Sequence, residues 1–131
     1  MKTSISTLLA AGLIAGTASA ADVLVTSDIA TSTTWTADNV YNLQDQIYVL
    51  PGATLTIEAG TLIASTANLG GSLAVCRGAQ INVLGTANAP VIMTSDADDL
   101  TTWREVSNEW GNLTIMGNAS ISENAPVGNT P

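Results

Sequence analysis

The chain has 131 residues, with eleven Asp and Glu against three Lys and Arg, a net charge of −8, no histidine and a single cysteine. So acidic a surface repels nucleic acid and anionic lipid headgroups, both of which are bound through lysine and arginine. Without histidine no Ser-His-Asp or Cys-His nucleophile can be assembled and a Cys/His zinc site lacks its ligands, while one cysteine closes no internal disulfide.

Residues 1–20, MKTSISTLLAAGLIAGTASA, carry a positive charge at Lys2, an apolar stretch over 8–14 and the small residues Ala18, Ser19 and Ala20. This is the layout of a secretory signal. The apolar stretch is far shorter than the ~20 residues that cross a bilayer. The segment is therefore expected to be cleaved by a Sec-type route, with no membrane span. The remainder would be secreted, held at the cell surface or left in the periplasm. Its only bases are then Arg77 and Arg104.

Residues 21–46 open with ADVLVTSDIATST, whose VLV reads as a strand, and are expected to cap the N-terminal end of the folded domain. From Ile47 the chain repeats. IYVLPGATLTI from Ile47, LAVCRGAQINV from Leu73 and LTIMGNASISE from Leu113 align without gaps. Ile47, Val49 and Leu50 match Leu73, Val75 and Cys76, then Leu113, Ile115 and Met116. Gly52-Ala53, Gly78-Ala79 and Asn118-Ala119 come next in register, and after them Leu55, Ile81 and Ile121.

Each unit reads as a short strand, a corner and a second short strand, because alternating apolar residues are broken by Gly or Asn, which accept a left-handed backbone. Gly60 gives a further bend, and Thr61-Leu62-Ile63-Ala64 supplies a third strand echoed by Val91-Ile92-Met93-Thr94. Three strands per turn is the plan of a parallel β-helix. An antiparallel sandwich or barrel also uses many short strands. It need not repeat in register, however, and the Asn-Gly or Asp-Gly dipeptides of tight hairpins are absent. The expected fold is all-β, a right-handed parallel β-helix of about three coils over residues 47–122. In that register Cys76 is expected to stack in an apolar core column with Leu50 and Met116.

Leu73 and Leu113 are 40 residues apart where Ile47 and Leu73 are 26 apart, so a loop is inserted over 96–110, DADDLTTWREVSNEW. Insertions in solenoids gather on one face and carry binding. Asp96, Asp98 and Asp99 are hard oxygen donors of the kind calcium takes, although this run lacks the glycine and distal glutamate of an EF-hand loop. Trp103 offers a flat apolar face to a sugar ring, with Arg104 beside it and Arg77 at a corner as candidate partners for a polysaccharide. Trp110 is expected to pack the third coil, and Trp103 either to bind or to fold the loop onto the wall. A carbohydrate-active enzyme of lyase or glycosidase type would draw on these same carboxylates and arginines, but fold analogy alone assigns no catalytic residue.

Residues 123–131 are polar and proline-rich, a poor cap for a solenoid end, so either further coils are attached beyond them or the open end self-associates. The motifs TTWTADNVYNL, GATLTIEAGTLI, GTANAPVIMTSDADD and WGNLTIMGNASI, in this order between about residues 34 and 122, resemble the N-terminal part of a family of secreted bacterial right-handed β-helix proteins. The resemblance implies export, a longer parent with more coils of which this chain is a piece, and no demonstrated activity to transfer. The expected function is a secreted or cell-surface structural and binding module without catalysis of its own.

Overall fold

Ile47, Val49, Leu55 and Ile57 are at most 1% exposed, while Tyr48, Thr54 and Thr56 between them are half-buried. That alternation is what a strand with one face on a core produces. The computed structural model describes residues 20–118, and in it ten short strands succeed one another with no helix among the described residues. They are β1 (Ala21–Val25), β2 (Thr33–Trp35), β3 (Asn39–Leu43), β4 (Gln46–Val49), β5 (Thr54–Ile57), β6 (Leu62–Ser65), β7 (Ser72–Val75), β8 (Gln80–Val83), β9 (Ile92–Ser95) and β10 (Leu113–Ile115).

The strands join three parallel sheets: sheet A in the order β1-β3-β6-β9, sheet B in the order β4-β7-β10 and sheet C in the order β2-β5-β8. The chain visits A, B and C in turn, so each circuit lays one strand on each wall of a three-sided coil. Every described ladder is parallel. The register expected from the repeat holds: Ile47 pairs with Leu73 and Leu73 with Leu113, Leu55 with Ile81, and Leu62, Ile63 and Ala64 with Ile92, Met93 and Thr94. Identical positions in successive coils stack because a parallel ladder repeats with no reversal. The Ile47–Leu73 and Val49–Val75 columns stay apolar, whereas Leu43 is followed by buried Ser65 and Ser95.

Two corners show why glycine is needed. Gly52 and Gly78 have φ of +88° and +79°, and the Gly52 amide donates to the Gly78 carbonyl at 2.8 Å, so one left-handed corner sits on the next. The core runs as columns through Ile47 and Leu73, Val49 and Val75, and Leu55 and Ile81, with Ile57 beside Leu55 on β5 and Leu43 and Ile63 from sheet A. Burying each such side chain stabilises the fold by about 1.5–3 kcal/mol.

Strand pairing begins earlier than the repeat revealed. The segment 21–46 supplies β1, β2 and β3, and Ile29 bridges to Val49 where a sheet B strand would lie. Its core is aromatic: Trp35, 3% exposed, stacks on Tyr41 with ring centroids 4.7 Å apart and planes 14° from parallel, and the Tyr41 hydroxyl accepts from the Thr36 amide. Cys76 does not join a core column as expected. With Leu50 it is half-buried at the corner after the strand, outside the central cluster, because the inward place has just been taken by Val75 and Val49. Residues 1–19, nearly all of the expected leader, and Ala119, Ile121 and the tail over 123–131 lie outside the described residues.

Candidate functional site

Chain turning from sheet A to sheet B crosses residues 44–45 in the first full coil, 66–71 in the second and 96–112 in the third, thus two, six and seventeen residues. The long third connection is the inserted loop. It is tied to the connection beneath it at several points. The Asp96 amide donates to Ser65 O at 3.0 Å, the Asn68 amide to Asn108 O at 3.3 Å, and the Gly111 amide to Gly71 O at 3.0 Å. Asn68 and Asn108 share left-handed φ of 66° and 61°, as asparagine tolerates, so the two loops turn alike where they meet.

Gly71 and Gly111 make that closeness possible. A Cβ on Gly71 would collide with the Leu43 carbonyl oxygen, and one on Gly111 would stand 2.8 Å from Ser72 Cβ. Trp110, just before Gly111, is half-buried against the core and anchors the return, as expected from the sequence.

Within the loop the acidic side chains are held separately. Asp96 accepts from the Thr66 hydroxyl at 2.7 Å, and Asp98 accepts from Thr94 at 2.5 Å and from the Leu100 amide at 2.9 Å. Asp99 accepts from the amides of Thr101 and Thr102 at 2.9 and 2.7 Å. Donors to an ionised carboxylate favour that form. The Thr94 hydroxyl chiefly lowers the Asp98 pKa, and the Thr101 amide followed by the Thr102 amide lowers that of Asp99 to about 2. Among the described residues no three carboxylates or thiols converge on a point where a cation would be held, so Asp96, Asp98 and Asp99 are neighbours in sequence and not one cluster in space.

Arg104 meets Glu109 in a fork, Nη1 to Oε2 at 3.0 Å and Nη2 to Oε1 at 2.9 Å. The same hydrogen bonds raise the Arg104 pKa and lower that of Glu109. Trp103 is 82% exposed, so it does not fold the loop onto the wall. Beside it lies a recess of about 230 Å³ bordered by Thr94, Asp98, Thr102, Arg104 and Glu109. A second recess of about 210 Å³ lies on sheet A, where Asp22, Val40, Asn42 and Leu62 lead up to Asp96 and Asp98. The loop therefore borders a groove along the wall. Arg77 is elsewhere, exposed at the corner between β7 and β8, and does not join Arg104. A larger recess of about 350 Å³ surrounds Trp35 and Tyr41 at the N-terminal coil. The carboxylate there, Asp28, is engaged with the Tyr48 amide at 2.9 Å.

The three stacked parallel sheets agree with what the sequence matches. A family model for pectate-lyase-like β-helix domains covers residues 27–130. The chain belongs to that family. No curated protein and no solved structure matches it. In this pectate-lyase-like β-helix domain the walls are three regular parallel sheets, and the chemistry-bearing side chains are concentrated in the connection over 96–112. What sequence reasoning missed is the Arg104–Glu109 fork, a pairing five residues apart across an irregular loop, for which no helical or strand periodicity gives a signal.

Proposed function

We propose that this pectate-lyase-like β-helix domain is an exported binding module without catalysis of its own, coiled in the right-handed sense that parallel crossovers take, and that it works outside the cytoplasm. The observation that carries the reading is the state of the loop's charged groups. Arg104, the base nearest the groove, is forked to Glu109 in a way that favours its protonated form. Asp98 and Asp99 are held ionised by the donors around them. Proton transfer is most effective from groups whose pKa lies near the ambient pH, and each of these groups is moved away from it. These directions support a loop that holds a ligand rather than one that exchanges protons with it.

The leader-like residues 1–20 support export, and the acidic, lysine-poor remainder supports work away from nucleic acid and anionic membranes. The test incubates the purified chain with polygalacturonate, a β-glucan and a xylan. Co-sedimentation with at least one insoluble polysaccharide is expected, with neither unsaturated uronic ends nor new reducing ends released. Ends whose release is abolished by Arg104→Ala or Asp98→Asn would make the domain an enzyme. Residues 1–20 fused to a leaderless reporter are expected to carry it out of the cytoplasm, and retention inside would remove the export half of the reading.

A further inference from the structure

We infer that Trp103 and the recess beside it form a site for one neutral hexose unit of a glycan, the ring lying on the indole and its hydroxyls shared with the polar groups of the loop. The inference rests on the binding-module reading and adds to it the chemical class of ligand. It begins from the contrast between three tryptophans. Trp35 is 3% exposed and Trp110 is half-buried against the core, but Trp103 is 82% exposed. Leaving a large apolar face in water is unfavourable, and side chains of this kind are mostly covered in folded proteins.

The residues on either side of Trp103 are nevertheless tied into the loop. On one side the Thr102 amide is bound to Asp99 at 2.7 Å, and on the other Arg104 is forked to Glu109. The loop beneath is joined to the preceding coil through Asn68 with Asn108 and Gly71 with Gly111. An aromatic face presented on ordered backbone needs little further ordering when it binds, which is the condition for useful affinity from a small contact.

The recess fixes size and polarity. Its volume of about 230 Å³ lies below the ~300–1,000 Å³ of sites that enclose drug-sized ligands, so it suits a single ring with the rest of a chain outside. Around it stand acceptors on Asp98 and Glu109, the hydroxyls of Thr94 and Thr102, and the guanidinium of Arg104. Two guanidinium N–H groups are used on Glu109, and the group has five. Donors and acceptors interleaved in this way answer to hydroxyl groups, each of which gives one hydrogen bond and accepts others.

Charge then selects among sugars. Asp98, Asp99 and Glu109 lie around a single arginine already neutralised by Glu109. A uronate ring would bring a carboxylate against this excess and be repelled. A neutral ring meets no such barrier. The ligand class therefore differs from the anionic polymer that gives the family its name.

The experiment titrates the whole chain with neutral gluco-, manno- and galacto-hexasaccharides and with a galacturonate hexamer, reading tryptophan emission, acrylamide quenching and calorimetric heat. At least one neutral hexasaccharide is expected to bind and to protect the exposed indole from quenching. Trp103→Ala should weaken that binding at least ~10-fold, as loss of an aromatic platform does, and Trp103→Phe should keep most of it. Thermal midpoints of both variants should match the parent, since the side chain is in solvent. Neutral binding unaffected by Trp103→Ala, or no neutral binding at all, overturns the site. Binding of the galacturonate hexamer alone overturns the neutral class and leaves the module reading standing, whereas conversion of any probe to product removes the module reading instead.

Discussion

Arg104 and Glu109, five positions apart in the loop, face each other as a two-pronged ion pair, Nη1 with Oε2 and Nη2 with Oε1, at 3.0 and 2.9 Å. The fork closes the segment that displays Trp103, so its removal should loosen the loop more than the wall. Arg104→Ala and Glu109→Gln are expected to leave the thermal midpoint almost unchanged, because partly exposed ion pairs contribute little to global stability. They should speed proteolytic cleavage within 96–112. A lowered midpoint with unchanged cleavage would show that the pair belongs to the wall.

The wall answers to different residues. Leu55 is 0% exposed and stacks with Ile81 inside the coil. Leu55→Ala is expected to destabilise the domain by ~2–5 kcal/mol, the usual result of emptying a filled core position. Leu24, 58% exposed on β1, serves as the control, and its replacement by alanine should change stability by no more than ~0.5 kcal/mol. Urea unfolding of the two variants separates these outcomes, and equal losses would contradict the assignment of inward columns.

The loop should also respond to acid before the wall does. The Asp99 pKa is lowered by the Thr101 and Thr102 amides from an ordinary 3.8 to about 2, and those of Asp98 and Glu109 are lowered as well. A carboxyl whose folded pKa lies below its unfolded value contributes stability that is present above the unfolded value and lost as pH falls through the folded one. Loop order should therefore decline between pH 3.8 and about 2. Tryptophan emission should shift in that range ahead of the β-sheet circular dichroism. Coincident transitions would mean that loop and wall open together.

A backbone prediction concerns Gly71. A Cβ there would run into the Leu43 carbonyl oxygen and Ser65 Oγ, and the Leu43 oxygen belongs to a paired strand that cannot retreat far. Gly71→Ala is expected to cost ~1–3 kcal/mol, the range for overpacking a filled site. It should also weaken the attachment of the long loop, measured as faster amide exchange at Gly111.

The part of the fold legible in the sequence was the part whose coils share one strand–corner–strand pattern, whether the step is 26 residues, as from Ile47 to Leu73, or 40, as from Leu73 to Leu113. Ile47 to Leu73 and Leu55 to Ile81 are both steps of 26 residues, so the pattern recurs without gaps. Ala21 to Asn39 is a step of 18 and Val40 to Leu62 a step of 22, and the segment before Ile47 has no Gly-Ala corner of the kind that marks the later coils. Packing of Trp110 was legible because it precedes the third repeat directly. The exposure of Trp103 was not, since an irregular loop gives no alternation from which to tell an inward side chain from an outward one.

The loop and the wall are also separable in a practical sense. Seventeen residues span the A-to-B turn of the third coil where two suffice in the first, yet Leu113 still lands opposite Leu73. Each doubling of such a span costs only ~0.6 kcal/mol in closure entropy, and the strands on either side are fixed by neighbours from other coils. This corner is thus a natural splice point. Foreign peptides of varied length could be displayed there on a rigid scaffold, their ends held a fixed distance apart by walls that take no part in what is shown.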